Sequence, residues 1–277
     1  MKVVRLVTGL VLGVMLYLGT TINVSAADLI GDILKKGVLT IGVGSFVPTA
    51  MRDLKGEMTG NAVDVGNKLA KDMGVEVAYV PTAWDGIIPG LLAGKFDTII
   101  SGMTVTPQRN MQVNFTIPYL NSGLGMIASK KIASNMKTMA AWNNSSVNLA
   151  CHRGSTACVF GMELFPKAKF RRYDDDSVAA QDVIKGSIHA WVTSEPKPTY
   201  WGLYYPEALF KPFSESLIQT NESFAIRKGD VDALNFFNNW IRVHQGTGWL
   251  AERHAYWFGS LDWLVHVPAN KYSPPKK

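Results

Sequence analysis

Asp97-Thr98-Ile99-Ile100-Ser101-Gly102-Met103-Thr104-Val105-Thr106-Pro107-Gln108-Arg109, followed shortly by Phe115-Thr116-Ile117-Pro118-Tyr119, is the stretch on which the reading turns. An apolar run too short for a helix is cut by Gly102, then by Thr104, Thr106 and Pro107, and Arg109 falls where the first turn of a helix is expected. Turn N–H groups, two hydroxyls and a guanidinium can converge there on one planar carboxylate, and the fork of Arg109 suits two oxygens. The competing reading is a plain strand–turn–helix junction with a solvated arginine.

Outward from this corner, short apolar runs alternate with amphipathic stretches, which is the pattern of an α/β protein with mainly parallel sheets. Val38–Val43, Val75–Val80 and Phe96–Ser101 read as strands, with helices at Ala62–Met73 and within Asp85–Gly94. The pattern repeats at Val147–Cys151, Lys169–Tyr173 and Ile188–Thr193, with helices at Ala157–Phe165 and Val178–Lys185, the second capped from Asp174-Asp175-Asp176-Ser177. Irregular joins at Tyr119–Gly123 and Gln219–Ser223 bracket this block, each leading into a strand-like run, Leu124–Ala128 and Phe224–Ile226. Helices are expected over Val231–Val243 and Trp249–Phe258. One domain inserted into another accounts for the two crossings: residues 27–121 with 222–277 form the first lobe, and 122–221 the second.

The N-terminus has the three parts of a secretory signal peptide: Lys2 and Arg5, an apolar Leu6–Thr21, and Val24-Ser25-Ala26 before cleavage. The apolar part is shorter than the roughly 20 residues of a membrane-spanning helix. Residues 1–26 are therefore expected to be removed, and the remainder released into the periplasm. Without Lys2 and Arg5 the chain carries 26 basic and 22 acidic residues, a net charge of +4. The basic residues are scattered and not interleaved with aromatics, which excludes nucleic acid as an expected partner. The tail Ser273–Lys277 is expected to be mobile.

Cys151 and Cys158 lie seven positions apart, and an even count in an oxidising compartment favours a disulfide, stapling a strand end to the next helix. Two buried thiols, or metal binding through Cys151, His152 and Cys158, are the rivals; the latter lacks the spacing of a zinc site. No metal and no cofactor is expected.

The order of motifs resembles the periplasmic solute-binding proteins of the polar amino-acid type that serve ABC importers, the family 3 extracellular solute-binding proteins. The marks are Gly42–Pro48, Thr59–Val65, Trp84–Leu91, Ser101–Arg109, Phe115–Tyr119, Arg153–Thr156 and Tyr256–Gly259, seven in order across nearly the whole exported chain. The resemblance implies a type II fold with two α/β lobes, two hinge strands and a ligand cleft between the lobes. It implies that Arg109 meets the ligand carboxylate, with the Thr104 hydroxyl, the Gly102 carbonyl and the Thr156 turn of the other lobe alongside. Phe46 and Trp84 would sandwich the ligand body, unless they are core aromatics.

Relatives place an acid for the ligand ammonium where Ser194 stands, followed here by Glu195. Either Glu195 takes over that role, or the ligand lacks a standard α-amino group, or Glu195 is an exposed residue before a Pro-turn. His152 is a further candidate for facing the ligand.

The expected function is binding of an amino acid or small carboxylate by a monomer that docks on an inner-membrane permease. An enzyme resembling cyclohexadienyl dehydratases, with Glu195 as acid, and a soluble sensor are the alternatives.

Overall fold

The computed structural model describes residues 28–268; the expected signal peptide, the expected cleavage after Ala26 and the tail expected to be mobile lie outside them. Eight strands form the path of one long sheet: β1 (Val38–Val43), β2 (Glu76–Pro81), β3 (Thr98–Thr104), β4 (Leu120–Ser129), β5 (Asn148–His152), β6 (Lys169–Tyr173), β7 (Ala190–Ser194) and β8 (Ile218–Ile226). They run in the order β2-β1-β3-β8-β4-β7-β5-β6, with two short strands, Asn114–Phe115 and Leu209–Phe210, paired to β8 and β4. The β2-β1-β3 and β7-β5-β6 neighbours are parallel, and β8 and β4 pair antiparallel with each other and with the strand on their outer side.

The joins expected to be irregular, Tyr119–Gly123 and Gln219–Ser223, lie in the paired stretches of two long strands instead. Asn121 faces Asn221 and Leu120 faces Glu222 across the β4–β8 ladder. From that shared stretch β8 continues beside β3, and β4 continues beside β7. These are the two hinge strands of a type II solute-binding fold. Their polar residues sit in mid-strand because ladder hydrogen bonds hold the backbone extended there whatever the side chains.

Helices α1 (Leu29–Lys36), α2 (Asn61–Met73) and α7 (Val231–Gly246) cover one face of the first half, around Leu39, Ile41, Leu69, Phe224 and Phe237. In the second half, α4 (Thr156–Leu164) and α5 (Asp176–Lys185) cover β5 and β7, and α6 (Lys197–Tyr204) leaves the end of β7. Pro196 and Pro198 mark a turn in the sequence, yet α6 starts there, because proline is tolerated in the first turn, where N–H groups have no intrahelical partner. Helix α8 (Trp249–Gly259) touches both halves. Its Trp257 indole donates to Asp64 of α2 at 2.7 Å, while Trp257 packs on Trp263, which stacks near Tyr200 of α6 at 5.5 Å.

Cys151 and Cys158 are joined by a disulfide with Cα atoms 5.2 Å apart. It ties the last strand residues of β5 to the first turn of α4, and the Gly154-Ser155-Thr156 turn between them is presented to the first half.

Candidate functional site

Strand β3 runs through Gly102 to Thr104 rather than stopping at the glycine, which has φ 66°. A Cβ at that position would stand 2.8 Å from Glu222 Oε2, so the glycine both allows the left-handed backbone and lets the Glu222 carboxylate come close. After Val105, Thr106 caps the four-residue helix α3 (Pro107–Asn110) by accepting from the Arg109 N–H at 3.2 Å. The cap fixes where Arg109 starts. Its guanidinium donates to the Thr104 carbonyl at 2.9 Å and, across the cleft, to the Gly154 carbonyl at 3.3 Å.

Arg109 thus spans the two halves, and it does so without a counter-ion. No carboxylate lies within 4.0 Å of it among the described residues. Burial pulls its pKa down to about 10, with Glu222 opposing from a distance. Its Cζ lies 5.7 Å from the Trp84 ring centre. Trp84 in turn meets Phe46 edge-on at 5.1 Å, and the Thr156 hydroxyl donates to that of Thr104 at 3.3 Å, a second contact between the halves.

The cavity between the halves is lined by Phe46, Trp84, Gly102, Thr104, Thr156, Ser194 and Glu195, seven of the eight residues expected in the sequence, with Arg109 at its edge through Thr104 and Trp84. His152 lines it too. The Gly102 carbonyl, as an acceptor, suits an ammonium better than the carboxylate it was paired with. Glu195 sits in the wall with the Thr199 hydroxyl donating to Oε2 at 3.1 Å and the Lys211 ammonium 2.9 Å from Oε1, though Oε1 itself is buried without a hydrogen-bond partner among the described residues.

Two charged groups that the sequence reading passed over stand in the same cavity. Glu222, in the middle of β8, is buried with no ion-pair partner within 4.0 Å among the described residues. Burial pushes its pKa up to about 7, and the Ser122 hydroxyl with the charges of Lys197 and Arg109 only partly opposes this. Beside it, the Tyr119 hydroxyl accepts from the Gly102 N–H at 3.0 Å, and burial together with the Glu222 charge keeps that phenol protonated well above its usual range. The alternation Ile218, Thr220, Glu222, Phe224 was the available signal: it puts an acid on the face that buries Phe224.

Lys197, the first residue of α6, is the second group. Its Nζ is 2.8 Å from Asp176 Oδ2 and 4.1 Å from the centre of the Phe46 ring. Asp176 binds His152 Nδ1 through its other oxygen, also at 2.8 Å. Burial would raise the Asp176 carboxyl, but Lys197 and His152 outweigh it and hold the pKa down at about 2. The acidic run expected only to cap a helix is therefore divided. Asp175 caps α5, Asp174 pairs with Arg153, and Asp176 turns to the cleft cluster.

The sequence matches the profile of the bacterial extracellular solute-binding proteins, family 3, over residues 39–260. It is 28% identical over 259 residues to the L-cystine-binding protein TcyJ of Escherichia coli K12, covering 90% of this chain and 94% of that protein. Among solved structures, the ancestral amino acid-binding protein AncCDT-1, described as a precursor of cyclohexadienyl dehydratase, is 36% identical with a TM-score of 0.77, covering 84% of this chain and all of its own. A putative ABC-transporter binding component from Wolinella succinogenes, solved with lysine, is 33% identical with a TM-score of 0.78, over 83% of this chain and 99% of that one.

Proposed function

The chain belongs to the bacterial extracellular solute-binding proteins of family 3, and from that premise we propose that Arg109 takes the ligand carboxylate in the cleft. The protein is the substrate-binding component of an ABC importer for an amino acid or related small carboxylate, a binding protein rather than an enzyme. The observation that carries the assignment is the Arg109 guanidinium, held by two backbone carbonyls from opposite halves and left without a counter-ion. A planar carboxylate offers it two charge-assisted hydrogen bonds. Thr104 and the Thr156 turn flank that carboxylate, and Phe46 and Trp84 wall the ligand body.

For a ligand ammonium, Glu222 with the Gly102 carbonyl is the better-placed pair, since Glu195 is held by Lys211 and Thr199. A ligand touched from both halves binds the closed arrangement better than the open one, which is how binding is coupled to docking on the permease. We assign residues 27–121 and 222–277 to one lobe and 122–221 to the other, with release after Ala26 and a monomeric working form.

The test is thermal shift of residues 27–277 with amino acids and with their deaminated and decarboxylated relatives, since a ligand of the native state raises the midpoint by mass action. Stabilisation is expected from carboxylate-bearing compounds and not from decarboxylated ones. Stabilisation by amines lacking the carboxylate would overturn the role of Arg109.

A further inference from the structure

A cationic side chain arriving at the Phe46 wall would meet a cation already in place. The Lys197 ammonium lies 4.1 Å from the Phe46 ring centre, at the distance where a bound cation gains from an aromatic face, and its side chain is only 15% exposed. It is held there from behind. Asp176 takes it at 2.8 Å, and His152, bound to the other Asp176 oxygen, packs edge-on against the same Phe46 ring at 5.1 Å. The contact chain runs Arg109–Trp84–Phe46–Lys197, so the two cations sit at the ends of one aromatic wall.

We propose that Lys197 is a specificity residue of the cleft: it repels ligands whose far end is cationic and receives an oxygen acceptor, a carboxylate or amide, at the end of the ligand distal to Arg109. The ammonium has three donors. Asp176 takes one in the structure, and an oxygen acceptor is the ligand chemistry that can use another. A ligand ammonium or guanidinium placed against Phe46 would lose the ring face to Lys197 and gain repulsion from it. The Asp176 carboxylate does not reverse this, because Lys197 and His152 already engage both its oxygens. The substrate class is thus an amino acid or acid with an acceptor-ended side chain, which sets this chain apart from a lysine-binding relative. The proposal rests on Arg109 holding the proximal carboxylate.

Calorimetric titration of length-matched pairs tests it: L-glutamate and L-glutamine against L-ornithine, and L-2-aminoadipate against L-lysine. The wild-type protein is expected to bind the acceptor-ended member of each pair at least tenfold more tightly. Lys197→Met should shift that ratio at least tenfold toward the cationic member. If that variant misfolds because Asp176 is stranded, Lys197→Met combined with Asp176→Asn removes both charges, and the same shift is expected.

Equal or tighter binding of lysine or ornithine by the wild-type protein, an unchanged ratio in a folded variant, or no binding of any of the five would each overturn the proposal. If both variants fail to fold, the wild-type ratio decides. Arg109→Ala separates the two layers. Cation-ended binding that is lost in Arg109→Ala leaves the carboxylate assignment standing and removes only Lys197, whereas binding indifferent to Arg109 removes both.

Discussion

Arg109 and Lys197 are both cations of one cleft wall, and the protein holds them in opposite ways. Arg109 is anchored by two backbone carbonyls at the cavity's edge with no acid within 4.0 Å among the described residues, while Lys197 is locked to a buried aspartate that a histidine shares. Carbonyls fix the direction of a guanidinium without neutralising it, so its attraction for an anion is retained. A salt bridge works differently: it fixes the ammonium and offsets part of its charge, yet leaves N–H donors and residual positive charge directed at the cleft. The first arrangement serves affinity, and the second serves shape and selectivity. Mutation should therefore move different quantities at the two sites.

The largest effect is expected from removing the acid of the saturated site. Asp176→Ala strands Lys197 and His152 in a wall where their side chains are 15% and 9% exposed, and breaking a buried pair from one side costs about 3–5 kcal/mol. Chemical denaturation should show that loss without ligand present. A change below 1 kcal/mol would mean that Lys197 and His152 find water or other partners, and the contrast with Arg109 would dissolve.

Next is Arg109→Ala, for which binding rather than stability should respond. Loss of a bidentate charge-assisted pair is worth about 3 kcal/mol or more, a factor above 100 in affinity. The melting point without ligand should move little, because only two backbone acceptors are given up. A large drop in melting with affinity retained would invert the roles assigned to the two cations.

Glu222 lies between these cases, a buried acid influenced by both cations. Its folded pKa, raised to about 7 by burial, exceeds the ordinary 4.5, so the folded state binds a proton that the unfolded state has lost. The associated stability is complete below about pH 4.5 and is lost as pH rises through 7. Glu222→Gln should therefore stabilise the ligand-free protein at pH 8 by about 3 kcal/mol, with the gain vanishing near pH 4.5. Binding should respond oppositely if Glu222 takes a ligand ammonium. The wild-type affinity for α-amino acids should then weaken as pH falls from 8 to 5, and the variant should lose both the affinity and its pH dependence.

Why the sequence disclosed one cation and hid the other follows from where each sits. The Ser101–Arg109 corner is local: strand, glycine, threonine cap and arginine are contiguous, so reading the chain in order reads the site in order. The Lys197 cluster joins β5, α5, α6 and the loop after β1, and no spacing records that His152, Asp176, Lys197 and Phe46 converge. Local pattern gave most strands and helices within two residues, including Lys169–Tyr173 without change. It failed at β4 and β8, where Asn121, Gly123, Asn221 and Glu222 read as loop residues while non-local ladder bonds hold them extended. It failed again at α6, where two prolines concealed a helix start.

The smallest effect concerns the aromatic wall that connects the two cations. Trp84 is partly exposed and touches Arg109 through its ring face and Phe46 through an edge contact. An edge-to-face pair and a half-exposed cation–π contact contribute about 1 kcal/mol each. Trp84→Ala should accordingly weaken binding by about 1–2 kcal/mol, through Arg109 as well as through lost ligand contact. The Arg109 part can be isolated by a double-mutant cycle: if Trp84 acts partly by orienting the guanidinium, the two losses in the Trp84→Ala/Arg109→Ala protein will fall short of additive, because the second mutation removes what the first had disturbed. The corresponding cycle between Trp84 and Lys197 should be nearer additive, since the 2.8 Å bond to Asp176 positions that ammonium without help from Trp84. Strong coupling of Trp84 to Lys197 with none to Arg109 would mean that the wall is organised from the saturated end.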